Sequence, residues 1–298
     1  MREPKRDGER PGRVGLVGIG RMGGLMLRCL RRHGFEAAVF DVREEALAAF
    51  AGDGGVHPVS DPRQVAEFAD VVGVVVFDDA QVLEVLEGEG GILAAEGDPP
   101  VILVHSTVTA AGLRRAHAAA AERGFPLLDA AVSGGTSEQQ EAGDLCVMVG
   151  GDPAALERAR PVLQTYAGLI EHVGSLGSGL DAKLVRNLAS FASVASAYQA
   201  FELGHWLGID AETVSRILEH TQVVSGNTRA IVAARPPGQA IDAQGDPQLA
   251  EQVRYLGEVA RKDLEAARAR AAEVDRDLPL AEASLETLAR AYGGPRRS

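Results

Sequence analysis

The run R-V-G-L-V at 13–17 passes directly into G-I-G-R-M-G, Gly18 to Gly23, and few folds accept that junction. An apolar strand that ends on a glycine turn and continues into a helix opens a strand–helix–strand unit. Gly18 permits the tight turn, Gly20 lets a pyrophosphate approach the backbone, and Gly23 lets the helix pack on the sheet. Ile19, Arg21 and Met22 fill the rest of the turn, and the helix start offers unpaired N–H groups to phosphates. A second short strand ends on Asp41, the acidic position such a unit uses for ribose hydroxyls. The motif predicts dinucleotide binding. Asp41 would repel a 2′-phosphate and so favours NAD, while Arg43, two residues on, keeps a route to NADP.

The alternation of short β-rich runs with helical patterns continues to residue 175. Strands are expected at 13–17, 37–40, 71–77, 101–105, 126–132, 144–149 and 169–173, with helices near 22–32, 43–50, 62–69, 79–87, 109–122 and 153–166. Near-continuous apolar strands with helical crossovers read as a doubly wound parallel sheet covered on both faces, a Rossmann domain. After Gly174 the strand signal disappears. Residues 179–207, 210–220, 248–274 and 279–292 read as helices, and 233–247, rich in proline and glycine, as a loop. The expected organisation is a disordered tail at 1–12, an α/β domain at 13–175, and an all-α substrate and dimerisation domain at 176–298. A long interdomain helix joins the two.

That helix follows G-S-L-G-S-G-L-D-A-K-L-V-R-N, Gly174 to Asn187. Ser178 reads as its N-cap and Asp181 as a favourable anion in its first turn. Apolar residues all round it to Trp206 predict burial on several sides and a share in a dimer interface. At ~1.5 Å per residue it spans roughly 40 Å. Lys183 and Asn187 are four apart and share a face. Upstream, D-A-A-V-S-G-G at Asp129 to Gly135 ends a strand; Ser133, Gly134 and Gly135 leave backbone N–H groups bare, which suits a carboxylate.

The 298 residues suggest two domains at ~150 residues each. A net charge of −12 argues against nucleic-acid binding, which needs a basic footprint. The densest apolar run, V-V-G-V-V-V-F at 71–77, is strand length and predicts no membrane span. Cys29 and Cys146 read as core thiols in a reduced, cytoplasmic protein, and the mixed charges at the start predict no leader. No cluster has metal-ligand spacing, so no metal is expected. His33, His57, His117 and His172 read as structural, and His105 as strand-end packing or a neighbour of the cofactor. His220, Thr221, Gln222, Ser225 and Asn227 form a polar patch expected at the substrate mouth.

Four motifs occur in order: G-I-G-R-M-G, D-A-A-V-S-G-G, the lysine helix, and K-D-L at Lys262 to Leu264. In this the chain resembles the β-hydroxyacid dehydrogenase family over residues 13–290. The resemblance implies an NAD(P)-dependent enzyme that moves hydride between nicotinamide and a small 3-hydroxy acid or the matching semialdehyde. It implies Lys183 as general acid/base with Asn187 as its helper, and Ser133, Gly134 and Gly135 on the substrate carboxylate. Thr107 and Lys262 would contact the cofactor, and Phe77 and Asp78 would line its far side. The apolar surface of the long helix leads to the expectation of a homodimer or higher homo-oligomer. The chain departs from the pattern at Ala131, where proline is usual, at Phe77-Asp78-Asp79, and in a longer, more polar 135–143 loop. Two other readings compete. An imine reductase on the same scaffold usually carries another residue at the lysine position, and a non-catalytic cofactor-binding module would not need Lys183 and Asn187.

Overall fold

A computed structural model describes residues 12–134, 137–224 and 247–291. The expected tail up to residue 11, most of the expected loop at 233–247, and Gly135, Ser225 and Asn227 lie outside the described residues. Eight strands form one sheet in the order β3-β2-β1-β4-β5-β6-β7-β8. They are β1 (Arg13–Val17), β2 (Glu36–Phe40), β3 (Val56–Pro58), β4 (Val71–Val74), β5 (Val101–Val104), β6 (Leu127–Ser133), β7 (Leu145–Gly150) and β8 (Ala167–Gly174).

Helices cover both faces. Leu16, Val39, Leu103 and Leu128 pack with Met26 and Leu30 of α1 (Arg21–Arg32) and Leu156 of α7 (Pro153–Leu163). On the other face Val17, Val72 and Ile102 pack with Val65 of α3 (Pro62–Phe68), Leu86 of α4 (Asp79–Glu87) and Leu113 of α5 (Ala110–Glu122). Strand order reverses between β1 and β4, and a crevice at such a switch point is where open α/β sheets take ligands.

The sheet is the expected doubly wound, mostly parallel one, with one antiparallel pair. β6 and β7 run antiparallel, with Asp129 opposite Gly150 and Ser133 opposite Cys146. The connection between them is too short for a right-handed crossover. It holds the six-residue α6 (Ser137–Ala142) instead, where the sequence reads as a polar loop. The three-residue β3, paired with β2, has no counterpart among the expected strands, being too short to show an alternation. β4 stops at Val74 rather than 77, because Val76 donates its N–H to the Ser106 side chain (3.0 Å) instead of a neighbouring strand.

Beyond β8 lie α8 (Ser178–Trp206), α9 (Ala211–His220), α10 (Pro247–Ala272) and α11 (Pro279–Ala291). Two compact units divide between Lys183 and Leu184, inside α8. In the second unit Val194 and Tyr198 of α8 pack with Ala260 and Leu264 of α10 and Leu288 of α11. The helix is not buried all round. Its core positions form one stripe, while Val185, Leu203 and Trp206 (69% exposed) point outward from the chain. No helix among the described residues is long and apolar enough to cross a membrane.

Candidate functional site

The glycine turn is built by contact as much as by sequence. Gly18 has φ +86°, and a Cβ there would sit 2.3 Å from the Val75 carbonyl oxygen, at the end of the neighbouring strand. A Cβ at Gly23 would lie 2.0 Å from the Gly18 carbonyl oxygen, so the helix approaches the turn as only glycine allows. α1 starts at Gly20 with no side-chain cap and no acidic residue in its first turn, which leaves that end open to an anion.

Asp41 is buried beside the turn. It accepts the Ile19 N–H (2.8 Å) and the Arg43 N–H (3.0 Å), and the Arg43 guanidinium at 3.2 and 3.3 Å. Burial by itself would raise its pKa. The hydrogen bonds from the Arg43 side chain and from the two backbone amides outweigh this and hold the carboxyl below its ordinary range. Arg43 therefore leans over the turn, 2.9 Å from where a Cβ on Gly20 would be. The second strand end and the glycine turn form one unit.

At the neighbouring strand ends Phe77 is exposed, with its N–H on the Gln81 side chain (3.0 Å). Asp78 caps α4 through the Gln81 N–H (2.9 Å), so its side chain has a local structural task. Thr107 follows β5, and Lys183 Nζ donates to its Oγ1 at 2.7 Å. Lys183 is half-buried and directed back at the sheet.

Ser133 ends β6 and Gly134 follows it, with the Gln140 side chain 2.5 Å from where a Gly134 Cβ would stand. Gln140 of α6 thus lies directly on the S-G turn. Asn187 is 5% exposed and donates to Asp263 (3% exposed) at 2.6 Å, while its own carbonyl accepts from Arg186 at 3.0 Å. Lys262, half-buried, precedes Asp263 on α10.

Three residues escaped the sequence reading. Asp129, 2% exposed on β6, accepts the N–H groups of Gly177 (2.7 Å) and Leu180 (2.8 Å). It caps α8 from a distance, and Ser178, expected as the cap, is instead the first helical residue. Asp263 is the buried partner of Asn187; its signal was its place inside K-D-L. Tyr166, fully buried, reaches Nε2 of His105 at 3.2 Å. His105, 3% exposed, lies 2.6 Å from the Ala130 carbonyl through Nδ1, so Nδ1 carries the proton and Nε2 accepts from the tyrosine. Burial, with Lys183's charge adding and the Ala130 carbonyl opposing, lowers the His105 pKa to about 4. His105 is therefore core packing beneath Thr107. Of the polar patch, His220 ends α9 and Thr221 bonds back to the Ile217 carbonyl (2.7 Å).

Comparison with known proteins agrees with this architecture. Residues 13–174 match the family described as the NAD binding domain of 6-phosphogluconate dehydrogenase. An uncharacterized oxidoreductase of Mycobacterium tuberculosis is 34% identical over 283 residues, covering 95% of this chain and 94% of that protein. The 3-hydroxyisobutyrate dehydrogenase of Pseudomonas aeruginosa is 32% identical over 270 residues, 90% of this chain and 88% of its own. A solved 3-hydroxyisobutyrate dehydrogenase of M. tuberculosis, studied with L-serine, superposes with a TM-score of 0.75 at 26% identity, covering 94% and 93% of the two chains. With the motif order, the sheet and these relatives in agreement, the chain belongs to the 3-hydroxyisobutyrate dehydrogenase family of NAD-binding oxidoreductases.

Proposed function

We propose that the protein interconverts a small 3-hydroxy acid and the corresponding semialdehyde, with Lys183 as the general acid/base. The observation that carries this is the Lys183 Nζ–Thr107 Oγ1 hydrogen bond of 2.7 Å. It turns an ammonium on the first turns of α8 toward the strand ends where the Gly18–Gly23 turn and Ser133 also lie.

The residues present fit a dinucleotide. Glycines whose Cβ atoms would collide with backbone, an uncapped helix start and a buried, ionised Asp41 are what its pyrophosphate and ribose need. When bound, the dinucleotide supplies or takes up a hydride. Lys183 gives a proton to the substrate oxygen during reduction and removes it during oxidation. Its charge also stabilises negative charge on that oxygen. Ser133 and the amides of Gly134 and Gly135 hold the substrate carboxylate, and by the family resemblance Asn187, whose amide is held by Asp263 and Arg186, is the lysine's helper. Thr107 orients the lysine. By the family resemblance Phe77 and Lys262 remain assigned to the cofactor, while Asp78 is occupied in capping α4.

The ionised Asp41 supports NAD over NADP, since Arg43 is already balanced by it. L-Serine and 3-hydroxyisobutyrate, each a carboxylate with a hydroxyl on the β carbon, are the first substrates to test. The outward apolar residues of α8 support a homodimer formed through the helical unit.

The test is Lys183→Ala beside Lys183→Arg. Lys183→Ala should lower kcat by about 10²–10⁴, the range of general acid–base catalysis, with NADH affinity unchanged. Lys183→Arg keeps the charge but cannot release a proton below pH ~12 and should stay nearly inactive. Turnover within twofold in Lys183→Ala removes the lysine from the mechanism. Turnover restored by arginine reduces its role to charge alone.

A further inference from the structure

We propose that Asp129 is a positioning residue for Lys183: by capping the first turn of α8 from the neighbouring sheet, it fixes where the ammonium stands against Thr107. The inference rests on the acid/base reading of Lys183 above.

The other capped helices of the first unit use a residue immediately before them. Asp61, Asp78, Thr109 and Asp152 each accept an N–H from the first turn of the helix they precede. α8 does not. Its first N–H groups go to a carboxylate 48 residues upstream, from Gly177 to Oδ1 and from Leu180 to Oδ2. With Ser178 N–H on the Ser175 carbonyl (3.0 Å), the start of the helix has its donors engaged. The joint is tight on both sides. A Cβ on Gly179 would stand 2.3 Å from the Met148 carbonyl oxygen, and one on Gly150 would stand 2.5 Å from Asp129 Oδ1. The helix start can neither lift nor slide without losing these bonds.

The register links this cap to the lysine's partner. Asp129 is paired with Val104 across β5 and β6, and Thr107 lies three residues beyond Val104. His105, between them, reaches the Ala130 carbonyl on β6. Lys183 comes three residues after Leu180. The lysine and the hydroxyl that orients it are thus both referenced to the same two hydrogen-bonded strands, one through the helix cap and one directly. A misplacement of ~1 Å at a reacting group can cost ~10²-fold in rate. A carboxylate is suited to this task because it accepts with both oxygens and its charge is favoured at a helix N-terminus. An amide of the same shape accepts with one oxygen and turns an NH₂ group against a backbone N–H.

The experiment is steady-state kinetics of the full chain with NAD and either L-serine or 3-hydroxyisobutyrate. Asp129→Asn should lower kcat by 10–100-fold while the NADH Kd, set at the glycine turn, stays within threefold. Asp152→Ala is the control: it removes the cap of α7, which bears no proposed site residue, and should lower Tm without lowering kcat. A purely structural Asp129 would behave like that control, and kcat of Asp129→Asn within twofold of wild type well below its Tm overturns the proposal. If Asp129→Asn does not fold, Asp129→Ser, which keeps one acceptor, is read in the same way. Lys183→Ala separates the two levels. If it is inactive while the Asp129 variants turn over normally, only the positioning role falls; if it is active, the acid/base reading falls and this inference falls with it.

Discussion

The buried His105–Tyr166 pair gives the chain a measurable acid sensitivity. An ordinary histidine titrates near 6.5, and His105 in the folded protein near about 4. The unfolded chain therefore takes up the proton first. Stability from this group is intact above pH 6.5, falls as pH drops below it, and is fully lost below about pH 4. At ~1.4 kcal/mol per tenfold difference in proton affinity, the whole effect is about 3 kcal/mol, and the part between pH 7 and pH 5 is about 2 kcal/mol. Carboxylates titrate near this window too. Burial raises the Asp129 pKa against the opposing bonds from Gly177 and Leu180, so Asp129 shifts stability in the other direction as pH falls. The clean measurement is therefore a difference. His105→Asn keeps an N–H for the Ala130 carbonyl but cannot titrate. Thermal unfolding of both proteins at pH 7 and pH 5 should show wild type losing about 2 kcal/mol more than the variant, roughly 4–8 °C for a unit of this size. Equal losses in the two proteins would show that His105 is not held neutral by burial, and the assigned tautomer would fall with it.

Three further outcomes follow from the site. Unmodified protein should bind NADH more tightly than NADPH, and Asp41→Ala should narrow the gap; tighter NADPH binding before mutation would make Arg43 the determinant. Gly20→Asp places an acid at the open start of α1, where it competes with the pyrophosphate and should raise the NADH Kd at least about 100-fold, a loss of about 3 kcal/mol. An unchanged Kd in a fluorescence titration would place the phosphates elsewhere. Asn187→Ala removes a donor from the buried Asp263 and should cost about 1–3 kcal/mol, with Asp263→Asn costing much less on that background than alone; additive losses in denaturant unfolding would mean that the 2.6 Å bond contributes nothing.

Periodic features were legible in the sequence. β1, α4 and the four described helices after β8 fall within two residues of their expected bounds, because each has a regular apolar spacing or a clear terminal residue. The same holds for the glycine turn and Asp41, whose spacing is set by a single strand–helix–strand unit. The antiparallel turn from β6 to β7 was not legible. Alternation of strands and helices gives no direction to a strand when the connection is short and polar. Asp129 was in view within D-A-A-V-S-G-G and yet unread, since nothing in a local window shows that its partners are Gly177 and Leu180. His105 and Tyr166, 61 residues apart, have the same character. Contacts of long sequence separation are made by the topology, and the topology must be known first.

The way the helices are capped sorts structure from function in this fold. Where a helix only covers the sheet, its cap is local: Asp61, Asp78, Thr109 and Asp152 each precede their own helix and could be read from the chain. The short helix Glu44–Ala48 has no side-chain cap either, and α1 and α8 depart from the rule in opposite ways. α1 begins at a glycine with no side-chain cap, so its free N–H groups are a binding resource. α8 begins at a cap delivered by the sheet, so its N–H groups are consumed and its position is fixed. A ligand-binding helix needs an open start, and a helix that carries an acid/base needs a rigid one. The local capping rule that put the cap of α8 at Ser178 fails at a helix that bears the proposed chemistry, because there the cap was set by the sheet.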